Sequence, residues 1–302
     1  KSTKKMSVRE EKILSLTNVD LSTKSSEELK ALFKEVLFDG VHGFCSSPYE
    51  EGQQPGDTLK EEQIRRRLKI IQPYTKWIRS FSCTEGNELI PKVARELGIK
   101  TFVGAWLGND AEINKKEIAG LIKLANEGYV DIAAVGNEVM YRQDLSEQEL
   151  LSFINEVKEG ITKDVPVGYV DAYYEFEDRP AISEACDIIL ANCYPFWEGC
   201  HQDYSLLYMK DMYQRALRAG KGKKVIITET GWPSEGSNLA GAVPSEENAM
   251  KYFINAQTWS KEDDIDIFYF SSFDESWKVD SEGDVGSYWG IWDKDEQLKF
   301  SE

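Results

Sequence analysis

Val135-Gly136-Asn137-Glu138-Val139 and Ile227-Thr228-Glu229-Thr230-Gly231-Trp232-Pro233-Ser234 are two short segments built alike. In each, an apolar run ends abruptly in a glutamate, and the second glutamate runs on into a Gly-Trp-Pro turn. A carboxylate at the carboxyl end of a buried strand is costly to desolvate, so such a group generally has a partner or a chemical task. Two of them, far apart in the chain, suggest one pocket fed by two strands of a barrel.

Outward from these segments, short apolar runs alternate with amphipathic stretches. Strands are expected over 40–45, 77–82, 101–106, 131–135, 165–170, 187–191, 224–228 and 265–271. Many are rich in Val and Ile without polar alternation, as strands covered on both faces are. Between them, Ile64, Leu68 and Ile71 fall at helical spacing, as do Ile118, Leu121, Ile122 and Ala125, and Leu150, Ile154, Val157 and Ile161. Ser25-Ser26-Glu27-Glu28 reads as a helix start, and further helices are expected over 88–97, 204–219 and 245–260. The fifth connection, near 179–185, is short and weakly patterned. Eight strands with intervening helices predict an α/β fold, a single (β/α)8 TIM barrel over 25–302 behind a polar N-terminal extension, 1–24, whose one apolar stretch is Ile13-Leu14. An open doubly wound sheet would need a nucleotide fingerprint, and neither Gly-x-Gly-x-x-Gly after the first strand nor a P-loop is present.

Composition excludes several classes. Lys and Arg number 36 against 53 Asp and Glu, a formal charge of −17, so nucleic acid is a disfavoured partner. No apolar run approaches the ~18 residues of a membrane span. Five cysteines without a Cys-x-x-Cys pair, and two histidines, argue against structural zinc. Neither metal nor organic cofactor is expected, and Glu262-Asp263-Asp264 reads as a solvated loop. Cys193 and Cys200 are close enough in sequence to form a small disulfide, though an odd total leaves a thiol free. The N-terminus lacks the apolar core of a signal peptide, so a secreted, periplasmic or cell-surface location implies a leader already removed. A monomer is expected.

In a (β/α)8 barrel, residues at the carboxyl ends of strands face the active-site mouth, which places Glu138 after strand four and Glu229 after strand seven. Two carboxyls about 5–5.5 Å apart serve a retaining glycosidase, one as nucleophile and one as acid and then base. Asn137, beside the first, is suited to hydrogen-bond a sugar hydroxyl. Trp106, Phe196, Trp197, Trp232, Trp277, Trp289 and Trp292 fall near the same mouth, each able to pack or to stack on a sugar ring. Trp232 and Trp277, beside the catalytic segments, are the best platforms. Arg79, Asp171 and Tyr173 occupy other strand ends, where hydroxyl binding competes with structural pairing; the structural role is expected for Arg79. His42, on the first strand, is expected to be partly buried and satisfied.

The two glutamate segments resemble the signatures of glycoside hydrolase family 17, β-1,3-glucanases and related glucanosyltransferases on a (β/α)8 barrel. Asn192-Cys193-Tyr194-Pro195-Phe196 and Phe273-Asp274-Glu275-Ser276-Trp277-Lys278 match as well, so the resemblance runs from about 39 to 292. It implies Glu138 as acid/base, Glu229 as nucleophile, Tyr194 beside the nucleophile, and Glu275 with Lys278 as a charged pair lining the pocket. The chain departs from plant members in the first-strand loop and at Asp274-Glu275-Ser276-Trp277, so a microbial type fits better. The implied activity is retaining, endo-type hydrolysis of β-1,3-glucan chains such as laminarin. A glucanosyltransferase using the same intermediate and a noncatalytic glucan-binding protein are the alternatives.

Overall fold

The computed structural model describes residues 7, 8 and 20–301. Most of the polar extension, with Ile13-Leu14, therefore lies outside the described residues. The chain enters the barrel through α1 (Ser26–Phe38), whose start is fixed by Ser25 accepting from the Glu28 amide at 3.1 Å. Leu29, Phe33 and Leu37 form its buried stripe, with Phe33 against Phe253 at 5.0 Å between ring centroids.

Eight parallel strands come next and close in chain order: β1 (Val41–Cys45), β2 (Thr75–Ser80), β3 (Lys100–Ala105), β4 (Ile132–Asn137), β5 (Val167–Ala172), β6 (Ile189–Asn192), β7 (Val225–Thr230) and β8 (Ile267–Tyr269). β1 pairs with β8, so no edge is left open. Every residue of β4 and β7 is buried, as strands between a barrel interior and a helical ring must be. The outer ring includes α2 (Glu61–Ile71), α3 (Leu89–Glu96), α4 (Ala111–Asn126), a one-turn helix α5 (Val139–Arg142), α6 (Glu147–Gly160), α7 (Tyr173–Asp178), α8 (Pro180–Ala185), α9 (Ser205–Gly220) and α10 (Glu246–Asp263). Local sequence sets several of these starts. Asp110 accepts from the Glu112 and Ile113 amides at α4, and Ser146 with Glu149 forms a reciprocal capping box at α6. The weakly patterned fifth connection resolves into the two short helices α7 and α8, broken where Pro180 follows Arg179.

β4 and β7 run two residues further than the apolar pattern indicates, through Asn137 and Thr230. The reason is local. Register shifts occur between Ala134 and Asn137 against β5, between Ala191 and Asn192 against β7, and between Ile227 and Thr230 against β8. Such irregularities re-aim side chains at a barrel rim. Gly136 sits at φ +90°, a conformation that a side chain would strain. Gly231 answers a different need: a Cβ there would lie 2.0 Å from the Phe270 carbonyl oxygen.

At the amino end of the barrel His42, Trp77, Phe102 and Phe268 form an aromatic floor, with Phe102 5.1 Å from Phe268 and His42 5.2 Å from Phe268. Nδ1 of His42 lies 3.6 Å from Asp266, at the start of β8, so this histidine is remote from the mouth. Burial lowers its pKa against the opposing pull of Asp266. All five cysteines are buried free thiols, so the small Cys193–Cys200 disulfide is not formed. Asp263 accepts from the indole of Trp259 at 2.9 Å, and no cluster fit to hold a metal occurs among the described residues.

Gly231→Ala is expected to lower stability by roughly 1–3 kcal/mol or more, because a backbone carbonyl must give way. Gly108→Ala, whose added methyl would meet nothing within 4 Å, should stay within about 0.5 kcal/mol. Thermal unfolding of the two variants beside the parent checks this; equal melting temperatures would show that the Gly231 contact is relieved elsewhere.

Candidate active site

Arg79 on β2 rises from the aromatic floor, its guanidinium 5.2 Å over the Phe102 ring and 4.1 Å over Phe81. It is 1% exposed and would be untenable there without an anion. Its Nη1 donates to Glu229 Oε2 at 2.6 Å and to the Thr228 carbonyl at 3.1 Å, and its Nη2 donates to Asn137 Oδ1 at 3.1 Å. Tyr194, just past β6, donates its hydroxyl to the other oxygen, Glu229 Oε1, at 2.7 Å. Glu229 therefore has a charged donor on one oxygen and a phenol on the other. Burial and the Glu229 charge push the Tyr194 pKa well above its ordinary value, so the phenol keeps its proton to donate. Burial opposes the Arg79 charge, but Glu229 overcomes it and holds the guanidinium pKa above the ordinary value.

Glu138 has a different surrounding. It is half-buried, and Asn192 Nδ2, at the end of β6, donates to its Oε1 at 3.0 Å. The orientation of that amide is set by Thr228, whose hydroxyl donates to Asn192 Oδ1 at 2.7 Å. Burial first, and the Glu229 charge second, raise the Glu138 pKa to about 7, with the Asn192 hydrogen bond working the other way. The mouth thus carries one carboxyl that holds a proton near neutrality and one braced by two donors. With the oxygen of Asn137 committed to Arg79, a ligand would meet the amide's NH2 end.

The Glu275–Lys278 pair forms at 3.2 Å, both side chains buried, and Glu275 Oε2 also accepts from the Tyr49 amide at 2.9 Å. The Lys278 ammonium lies 4.1 Å over the Phe270 ring. Trp277 is half-buried and meets Tyr49 edge-on. Trp232 does not match its expected role. It is 2% exposed, packed against Phe196 and Tyr252, with its indole nitrogen donating to the Val243 carbonyl at 2.9 Å, so it offers no face to a sugar. Phe196, Trp289 and Trp292 are buried too, leaving Trp106 and Trp197 as the exposed indoles of the set.

Arg79 forms the ion pair expected of it, and its partner is Glu229 itself. The signal was available: a charged residue inside the apolar run Trp77-Ile78-Arg79 is too costly to bury without a chemical partner. Asn192 opens one of the matching segments, yet its sequence context assigns it no task. Its contact with Glu138 depends on a register shift that no local pattern reveals. Asp171 is fully buried beneath the mouth and Tyr173 donates to Glu198 at 3.1 Å, so of the two roles open to them both make structural hydrogen bonds.

A closed barrel with two differently tuned carboxyls at its carboxyl rim defines a barrel glycosidase. Residues 43–290 match the family described as the BtgE/BtgC glycoside hydrolase domain, and the chain belongs to that family. It is 32% identical over 263 residues to glucan 1,3-beta-glucosidase BGL2 of Candida albicans, covering 78% of this chain and 84% of that one. A Saccharomyces cerevisiae glucan 1,3-beta-glucosidase is 27% identical over 82% and 86% of the two chains. Among solved structures, a glycoside hydrolase family 17 β-1,3-glucanosyltransferase from Rhizomucor miehei superposes with a TM-score of 0.78 at 28% identity, covering 87% of this chain and 96% of that one. The resemblance to family 17 read from the two glutamate segments holds.

Tyr194→Phe removes one donor from the Glu229 carboxylate, and a hydrogen bond to a charged group contributes about 1.5–3 kcal/mol. A fall in kcat of roughly ten- to a hundredfold is expected with little change in melting temperature. Arg79→Met should be worse in both respects, since it strands a buried charge at about 3–5 kcal/mol. Steady-state kinetics with thermal unfolding tests both, and an Arg79→Met protein with parental kcat would contradict the assignment.

Proposed function

We propose that this chain is a retaining hydrolase of β-1,3-glucosidic bonds, endo-acting on laminarin-like chains, with Glu229 as nucleophile and Glu138 as acid/base. The observation that carries the reading is the opposite treatment of the two carboxyls: burial and a neighbouring anion favour a proton on Glu138, while Arg79 and Tyr194 each donate a hydrogen bond to one oxygen of Glu229. In the first step Glu229 attacks the anomeric carbon, the glycosidic C–O bond breaks, and the Glu138 proton passes to the departing oxygen. In the second, Glu138 takes a proton from water, which attacks the same carbon and releases Glu229, so two inversions return the β configuration. We assign Asn137, whose oxygen is held by Arg79, as donor to the hydroxyl next to the anomeric centre. Trp277 and the exposed Trp106 and Trp197 are the sugar platforms we assign. A polymer substrate calls for an exported enzyme; no helix among the described residues is long and apolar enough to cross a membrane.

Transfer is the second reading, supported by the Rhizomucor miehei relative named a glucanosyltransferase. There a sugar hydroxyl replaces water in the second step, with the same side chains. Digestion of laminarin oligosaccharides at high concentration separates the two, since products longer than the substrate arise by transfer alone.

Glu229→Ala should abolish turnover. Glu138→Ala should lose about 10²–10⁴-fold on laminarin, yet cleave a substrate with a good leaving group and form a β-glucosyl azide when azide is added. Normal rates in both variants would end the proposal. The pH profile supplies a further check. Protonated Glu138 is the working form, so kcat/KM should fall as pH rises through about 7, and Glu138→Gln should abolish that alkaline limb. An unchanged limb in the Gln variant would assign it to another group.

A further inference from the structure

Glu138 occupies the N-cap position of α5 in the left-handed conformation, φ 54° and ψ 32°, and its side chain makes no capping bond. Both facts are unusual. An N-cap side chain ordinarily accepts from the second or third amide of its helix, and a non-glycine residue in that region persists only where its neighbours enforce it. Here the two amides are taken by β5. Met140 N–H donates to the Tyr169 hydroxyl at 2.9 Å, and Tyr141 N–H donates to Asp171 Oδ2 at 3.4 Å. The Tyr169 hydroxyl donates in turn to the same Asp171 oxygen, and Asp171 Oδ1 accepts from the Ala172 amide at 2.8 Å. Tyr169 and Asp171 are both fully buried. The Glu138 amide also belongs to this arrangement, donating to the Val170 carbonyl at 2.8 Å.

We infer that Tyr169 and Asp171 are positioning residues for Glu138: they cap the turn in its place, so that its carboxyl is left for Asn192 and the substrate. The inference rests on Glu138 being the acid/base. It explains why a glutamate, a poor N-cap, can stand at this helix start, and why the segment reads Gly136-Asn137-Glu138. Gly136 at φ +90° turns the chain, and the β5 pair holds the helical turn beyond it. Asp171 also acts by charge. The groups facing Glu138 are Glu229 from β7, Asp171 from β5, Arg142 from α5 and Tyr174 from α7, and Glu175 faces Asp171 itself. After burial and Glu229, the Asp171 anion is a further influence that raises the Glu138 pKa, so neutralising Asp171 should lower it.

The test compares Asp171→Asn, Tyr169→Phe and Glu138→Ala by kcat/KM on laminarin and on a 2,4-dinitrophenyl β-laminaribioside, whose departure needs no acid. Asp171→Asn should fall about tenfold or more on laminarin but under about threefold on the aryl glycoside, and its alkaline limb should move to lower pH. Tyr169→Phe, which removes a single oxygen, should show the same substrate selectivity; because the Tyr169 hydrogen bond holds the Asp171 pKa down, its loss weakens the anion and should move the alkaline limb in the same direction as Asp171→Asn, by less. In a Glu138→Ala background, Asp171→Asn should change the laminarin rate less than about twofold, because both changes act through one group. Equal losses on both substrates, or additive losses in the double variant, overturn the inference, as does a parental rate in both single variants. If Glu138→Ala itself shows no preference for the aryl glycoside, the acid/base reading has failed. If Glu138→Ala shows it and the β5 variants do not, the positioning role alone has failed. Should Asp171→Asn not fold, Tyr169→Phe carries the test.

Discussion

The contact between Arg79 and Glu229 is the constraint around which the mouth is organised. Neither charge could be buried alone, because stripping an ion of water costs several kcal/mol unless the partner and further hydrogen bonds offset it. The remaining bonds are present: Arg79 also reaches Asn137 and the Thr228 carbonyl, and Glu229 also receives Tyr194. Removing either member leaves the other unpaired in a dry site. The rings of Phe102, from the aromatic floor, and of Phe81, just past β2, complete the arrangement by giving the guanidinium an electron-rich surface in place of water.

Chemistry arises from the asymmetry this creates. Glu229 is clamped by a cation and a phenol, and its charge adds to burial in raising the pKa of Glu138. Glu138, with a single amide donor, has little to counter that field or its own burial. Arg79 thus holds Glu229 in place, and the Glu229 charge is in turn, after burial, the second influence that raises the Glu138 pKa. Register shifts at three strand pairs fall at the strand ends that carry Asn137, Asn192 and Glu229, where a change of register decides which side chains reach the mouth.

Much of this was legible beforehand. Val/Ile-rich runs at regular spacing announce the barrel, because strands hidden on both faces have no polar alternation to confuse them. Glu138 and Glu229 stand out because each interrupts such a run. The illegible part depends on orientation. Trp232 adjoins Glu229 in sequence, yet the chain past Thr230 turns it back under the rim against Phe196 and Tyr252. Adjacency along a chain does not predict the direction of a side chain once a strand has ended. Asn192 and the Tyr169–Asp171 pair act across strands, through contacts that arise only when neighbouring strands adopt their registers. The fifth connection lacked a clear pattern because two short helices split its apolar stripe.

The five cysteines bear on how the molecule holds together. Each thiol is buried and unpaired, and burial pushes the Cys45 thiol up to about 12, far from the thiolate needed for exchange chemistry. Barrel closure rests on noncovalent forces: a continuous ring of interstrand hydrogen bonds and a shared apolar interior. No disulfide contributes to closing the barrel, so the folded arrangement does not draw on an oxidation step for its stability.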